Sequence, residues 1–286
     1  MSENGSVIIR PMLPDDSDSC MALSSAEDWN QTLSDWKRLA EGPLNQCLVA
    51  ESDNKIISTA TAMNYLNKVA WIGMVLVDKE YRGKGIGKLM VTSLLNLLGS
   101  CKSVKLDATP AGENLYKNLG FTGEYSVIRM ISSSQNIMQQ EDFPENPVTA
   151  EPSDISEISI LDRNAFGAER IYLLNSIIKE NPGKAWCIKQ KGRLIAFSLG
   201  RNGRKYLQIG PVIAPGISEA KDMISIFCAE FNGIVLDVLA DKVELIQWLE
   251  QKGFICQRKF LRMYLHQNPY PGNISNNYLI CGPEFG

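Results

Sequence analysis

The sequence predicts an α/β (α+β) chain built as two tandem units, on three observations. Trp71 to Met90 passes from an apolar run into a cationic, glycine-rich turn and then into a helical pattern. Strand-like and helix-like segments alternate along 286 residues, enough for two domains that each bury a core. The pattern around Leu106-Asp107, Gly120-Phe121 and Arg129-Met130 also returns at Leu236-Asp237, Gly253-Phe254 and Arg262-Met263.

Val7 to Pro11 reads as an opening strand stopped by proline, and a helix follows through Met21 and Leu23. Trp29 and Trp36 would share a core-facing stripe if one helix carried both. At a helix break, Trp29-Asn30-Gln31 instead combines a large ring with two amides, a mixture suited to holding a small polar ligand. Gln46 to Ala50 and Ile56 to Ala62 read as strands joined by the turn Ser52-Asp53-Asn54-Lys55.

Ile72, Met74, Val75, Leu76 and Val77 form too continuous an apolar run for a half-exposed strand, so this strand is expected to be buried on both faces. The turn Arg82-Gly83-Lys84-Gly85-Ile86-Gly87 then presents backbone amides at a helix N-terminus, where unpaired N–H groups and the helix dipole together bind phosphate. Leu89, Met90, Leu94, Leu95 and Leu98 carry that helix against the sheet. A nucleoside-triphosphate P-loop fails twice, because Arg82 replaces its first glycine and Leu89 its hydroxyl. A dinucleotide fingerprint fails as well, on the spacing of Gly83, Gly85 and Gly87.

Beyond the helix, Ser103 to Asp107 alternates like a strand, and Leu115-Tyr116 lies on a short helix ending at Gly120. A strand from Ser126 to Ile131 closes the half. Arg-x-x-Gly-x-Gly at Arg82, Gly85 and Gly87, followed in order by Leu115-Tyr116 and Leu119-Gly120-Phe121, resembles the GNAT superfamily of acyl-CoA-dependent N-acyltransferases. The resemblance implies, in each unit, a mixed and mainly antiparallel sheet flanked by helices. It also implies direct attack of an amine on the thioester of acetyl-CoA, without a covalent nucleophile or a metal.

On that resemblance, the backbone of Met74, Val75, Leu76 and Val77 would pair with the pantetheine arm and polarise the thioester oxygen. Arg82, Gly83, Lys84, Gly85, Ile86, Gly87 and Lys88 would cradle the pyrophosphate. Tyr116 aligns with the general acid that donates to the departing thiolate; a phenol of reference pKa about 10 stays protonated at neutral pH. Relatives carry an asparagine where this chain has Thr109, and a glutamate base on the strand that here offers Gly73 and Met74. Asp107, at the end of the next strand, is the candidate base, directly or through water; starting the following turn is its other role.

Ser132 to Pro147 is polar, aperiodic and proline-bearing, which places a linker at 135–147 between a catalytic unit at 1–134 and a second unit at 148–286. In the second unit, Asp162, Phe166 and Arg170 fall on one helical face, and strands follow at Ala185 to Lys189, Leu194 to Leu199 and Tyr206 to Val212. Pro211 and Pro215 remove amide donors where the phosphate turn belongs, and Leu249 replaces the tyrosine. This half therefore resembles a divergent GNAT-like unit without donor-binding capacity. Its expected role is to wall the acceptor side of the first cleft, with Phe166 and Arg170 opposite Trp29, Asn30 and Gln31. A fragment ending near Met130, if folded, is expected to keep CoA affinity.

The net charge of −3 gives no global field for nucleic acid or an anionic membrane. Seven scattered cysteines without a Cys-x-x-Cys pair argue against disulfides and thiolate metal sites. With no apolar stretch of bilayer-spanning length, the expected compartment is the cytoplasm. The single histidine, His266, lies in a loop and offers no Ser-His-Asp mechanism. The expectation is thus an N-acetyltransferase acting on a primary amine of a small molecule or protein; the alternative is a non-catalytic acyl-CoA-binding or regulatory module.

Overall fold

The computed structural model describes residues 6–132 and 146–286, so the expected linker lies outside the described residues except at 146–147. The first unit runs β1 (Ile8–Pro11), α1 (Ser17–Ala26), α2 (Leu33–Glu41), β2 (Gln46–Ser52), β3 (Lys55–Tyr65), β4 (Val69–Val77), α3 (Ile86–Leu97), β5 (Ser103–Ala108), α4 (Glu113–Asn118) and β6 (Phe121–Ser132). The second runs β7 (Val148–Thr149), α5 (Ile155–Phe166), α6 (Ile171–Glu180), β8 (Ala185–Gln190), β9 (Arg193–Asn202), β10 (Leu207–Ile213), α7 (Ile217–Glu230), β11 (Ile234–Leu239), α8 (Val243–Gln251), β12 (Ile255–Leu265) and β13 (Asn277–Leu279).

Local chemistry accounts for the boundaries. Asp53 and Asn54 both take positive φ between β2 and β3, the backbone twist that suits a tight hairpin. Thr32 opens α2 by accepting from the Asp35 amide, and Asp35 answers by accepting from the Thr32 amide. Gly167, at φ +99, ends α5 four residues before α6 begins. Phe166 and Arg170 therefore do not share a helix, contrary to the spacing argument.

The thirteen strands of the described residues belong to one sheet, in the order β1-β2-β3-β4-β5-β12-β6-β11-β13-β10-β9-β8-β7. The units have exchanged their last long strands. β12 of the second unit lies between β5 and β6, and β6 of the first lies between β12 and β11. Two matching ion pairs rivet this seam: Arg262 donates to both oxygens of Asp107 at 2.9 Å, and Arg129 to both of Asp237 at 2.8 Å. Each arginine sits directly across the ladder from its aspartate. The internal repeat seen in the sequence is thus a near-symmetric pair of contacts between units, and a fragment ending near Met130 would lack the strand that covers β5.

Helices α1, α2, α5 and α6 share one apolar cluster around Trp36, Trp71, Phe166 and Phe197, while α3 buries Ile86, Met90, Val91 and Leu94 against the first half of the sheet. Helices α7 and α8 cover the second half around Met223, Phe227 and Leu249.

Candidate active site

The parallel pairing of β4 with β5 ends at Ile72 opposite Leu106, and from there the two strands part. The cause is a bulge in β4: Met74 has φ +49, and the register with β3 slips between Thr59 and Thr61. Hydroxyls of Thr61, Thr59 and Ser58 hold the distorted strand by donating to the carbonyls of Gly73, Met74 and Leu76 at 3.0, 2.7 and 2.6 Å. The edge of β4 from Gly73 to Val77 is left without a partner strand on the β5 side and lines a cleft of about 520 Å³.

At the end of β4 the chain turns into α3 through Arg82 to Gly85. Gly83 and Gly85 take φ +76 and +80, and a Cβ built on either meets nothing within 4 Å. Their conformation requires glycine, and the space in front of them stays open. Gly85 caps α3, so the first amides of that helix face the cleft with no intrahelical acceptor. The Arg82 guanidinium donates to the Val77 carbonyl at 3.0 Å and to Glu27 at 2.6 Å, which ties the turn to the end of α1. Lys84 and Lys88 are exposed beside it. Open strand edge, left-handed glycines, helix N-terminus and cations together fit an extended thiol ester carrying a pyrophosphate.

Tyr116 stands on the opposite wall, on α4, with its ring edge-on to Phe121 at 5.8 Å. Its hydroxyl has no hydrogen-bond partner among the described residues, and burial pushes its pKa up to about 12. Asp107 also lines the cleft. Its side chain is buried, and desolvation raises its pKa above the usual carboxylate value although the Arg262 guanidinium opposes the shift. Thr109 accepts from the Gly112 amide at 3.3 Å, which makes it the start of the turn into α4.

The second unit forms the same opening and then fills it. β10 and β11 pair in parallel only as far as Ile209 opposite Leu236, and β13 enters between them, with Leu279 paired to both Val212 and Val238. A strand of the chain itself therefore occupies the slot that stands open between β4 and β5. Leu249, in the position of Tyr116, is fully buried.

Two family models match this chain, and both describe a GNAT acetyltransferase domain: one covers residues 43–123, the other 158–279. The chain belongs to the GNAT acetyltransferase family. It is 29% identical over 184 residues to the uncharacterized N-acetyltransferase YitH of Bacillus subtilis (strain 168), covering 64% of this chain and 65% of that protein's length. It is 23% identical over 247 residues, 85% of this chain and 83% of the other, to a holothin acyltransferase of Pseudoalteromonas sp. (strain SANK 73390). A crystal structure from Pyrococcus horikoshii superposes with a TM-score of 0.81 at 23% identity, covering 100% of this chain and 98% of that one, and so shares the fold.

Within this GNAT chain the acceptor-side residues separate into two groups. Trp29 and Gln31 line the cleft, from the loop between α1 and α2 rather than from a helix shared with Trp36. Asn30 does not line it. Its side chain bonds the backbone of Lys205 and Tyr206 at 2.9–3.0 Å, stapling that loop to the turn between β9 and β10. Phe166 and Arg170 are also withdrawn from the cleft. Arg170 pairs with Asp162 at 2.7 Å and donates to the carbonyls of Phe285 and Gly286, and Phe166 packs on Trp71 and Tyr65.

What these residues hold is a segment the sequence reading passed over. Gly282 to Gly286 folds into a tight turn against the acceptor side, where Trp71 and Tyr65 donate to the carbonyls of Pro283 and Phe285 at 2.9 and 2.7 Å. A Cβ on Gly73 would approach the Glu284 Cα to 2.9 Å, so Glu284 lies against the bulge of β4. The Glu284 carboxylate pairs with Arg201, leaves one oxygen unpartnered, and its residue lines the cleft. Arg129, Arg258 and Phe260 complete that wall. The bracketing glycines Gly282 and Gly286 were the one signal in the sequence.

Proposed function

We propose that this chain transfers an acetyl group from acetyl-CoA to a primary amine of a small molecule or protein, in the first cleft only. The observation that carries the reading is the parted β4 edge leading directly into a glycine turn that caps α3. Bound there, acetyl-CoA supplies an activated acyl carbonyl. The amides of β4 between Met74 and Val77 hold the pantetheine arm as an added strand and polarise the thioester oxygen, an effect that for one oxyanion donor is worth about 100- to 1000-fold in rate. Amides from Arg82 to Lys88 hold the pyrophosphate. As the C–N bond forms and the C–S bond breaks, the Tyr116 hydroxyl donates to the sulfur, and Asp107 accepts the proton of the amine through water.

Asp107 also serves the seam, since Asp237 makes the same pair in the unit with no open slot. Its raised pKa favours proton acceptance nearer neutral pH. Asp107→Asn separates the two roles: a base gives a fall in turnover and a displaced acidic limb of the pH profile, whereas a seam role alone lowers only stability. The second unit completes the acceptor wall through β12 and the segment at Glu284. Seven free cysteines and the absence, among the described residues, of a helix long and apolar enough to cross a membrane agree with a proposed cytoplasmic setting. Thiol release from acetyl-CoA with a panel of amines tests the activity, and CoA binding without turnover of any amine would leave the chain a binding module.

A further inference from the structure

The cleft carries two opposite poles outside the β4 edge and the glycine turn. The first is Arg258, on β12 in register with Arg129 of β6. Arg129 is committed, because Asp237 takes its guanidinium in a two-bonded pair and Phe260 stacks beneath it at 5.3 Å. Arg258 is only partly exposed and has no hydrogen bond or ion pair among the described residues. Burial, and then the neighbouring Arg129, hold its pKa below the ordinary arginine value, and the carboxylates of Glu27 and Asp237 offset this only in part. A half-buried guanidinium costs free energy unless an anion meets it, and its planar fork suits an oxyanion.

The second pole is the ion-pair cluster behind Glu284. Arg201 bridges Glu284 and Asp35, and Arg38 bridges Asp35 and Glu180, so two arginines face three carboxylates and one formal negative charge is in surplus. In and beside this cluster the Glu284 Oε2 and Gln31 Oε1 atoms are buried acceptors with no donor, and both residues line the cleft. Unmet acceptors beside surplus negative charge suit an ammonium group, as an unmet guanidinium suits an oxyanion.

We propose that the acceptor is a zwitterion, an amine that also bears a carboxylate or phosphate-type oxyanion, with the oxyanion on Arg258 and the amine toward Gln31 and Glu284. This rests on the proposed acetyl transfer and narrows its substrate class. A bare alkylamine or a diamine would leave Arg258 unpaired or face it with a second cation. The amine reaches the chemistry from the side of Glu284, next to the bulge at Gly73 and Met74, where the β4 amides await the thioester oxygen.

Matched pairs test this: phenylalanine with phenethylamine, alanine with ethylamine, and 2-aminoethylphosphonate as the phosphate-type arm, each followed by thiol release in the wild-type protein and in Arg258→Gln. The wild type is expected to favour the zwitterionic member of a pair. The variant should lose about 10- to 100-fold in kcat/KM for that member, chiefly through KM, because a charge-assisted hydrogen bond is removed. Its KM for acetyl-CoA should stay within about twofold, and the bare amine should lose less than its zwitterionic partner. Preference for the phosphonate would assign the phosphate-type oxyanion, and preference for the amino acid the carboxylate. A raised KM for acetyl-CoA in Arg258→Gln would place the arginine on the donor's phosphates and overturn the proposal. So would preference for the bare amines, or failure of every zwitterionic amine while acetyl-CoA still binds; loss of acetyl-CoA binding by the wild type would instead remove the transferase reading.

Discussion

Tyr116→Phe deletes one hydroxyl and little else, since the ring keeps its contact with Phe121. The size of the effect follows from the environment. With a pKa of about 12 the phenol is about one part in 10⁴ ionised at pH 8, so the donor is fully present at working pH. A departing thiolate of reference pKa about 8.5 is a much weaker base than this phenolate, so complete proton transfer runs uphill and the hydroxyl acts chiefly as a hydrogen-bond donor to sulfur. A hydrogen bond to a charged group is worth about 1.5–3 kcal/mol, which converts to about 10- to 150-fold in rate. Turnover of Tyr116→Phe at saturating substrates, read by thiol release, should therefore fall by that factor while acetyl-CoA affinity by calorimetry stays within about twofold. Because the folded pKa is raised, the hydroxyl is lost only above pH about 11, and no basic limb below that pH belongs to Tyr116. Unchanged turnover would refute the assignment, as would a basic limb near pH 9 that disappears in the variant.

A chain cut after Ser132 leaves β5 and β6 without β12, and the exposed edges should prevent native folding; circular dichroism and amide exchange should show a non-native fragment, and adding the 146–286 segment should restore order. Arg262→Ala strands Asp107 as a buried, unpaired carboxylate at the seam, and denaturant unfolding should show a loss of about 3–5 kcal/mol; a loss under 1 kcal/mol would show that the seam does not depend on the pair. Gly73→Ala forces a methyl group against the Glu284 backbone, so unfolding free energy should fall by about 1–3 kcal/mol, and an unchanged value would mean that the 282–286 turn packs more loosely than its contacts imply.

The glycine turn before α3 was legible because its signal is local: Gly83 and Gly85 sit where φ must be positive, and the helix that follows carries its own apolar stripe. The hairpin at Asp53-Asn54 and the helix stop at Gly120 were legible for the same reason. The strand exchange was not. The alternating patterns of β6 and β12 specify which faces are buried but not which neighbours they take, and Arg262 lies 155 residues from its partner Asp107. Phe166 and Arg170 hold the 282–286 segment rather than line the cleft, because helical spacing says nothing of a segment that folds over them. Asn30 and Gln31 look alike in sequence; only the β9–β10 turn, some 175 residues away, claims one amide and leaves the other facing the cleft. The pairing of Asp107 with Asp237 was visible as a repeat, whereas its meaning as a shared seam needed the register.

Of two similar openings, β13 fills one, and the other is proposed to bind the donor. Calorimetric titration of acetyl-CoA into the full chain, and into Gly85→Asp, tests it most directly. The account predicts saturation at one site per chain, and loss of that site when a carboxylate is placed in the turn at φ +80. Two equivalent sites per chain, or one site whose affinity survives in a folded Gly85→Asp protein, would contradict it.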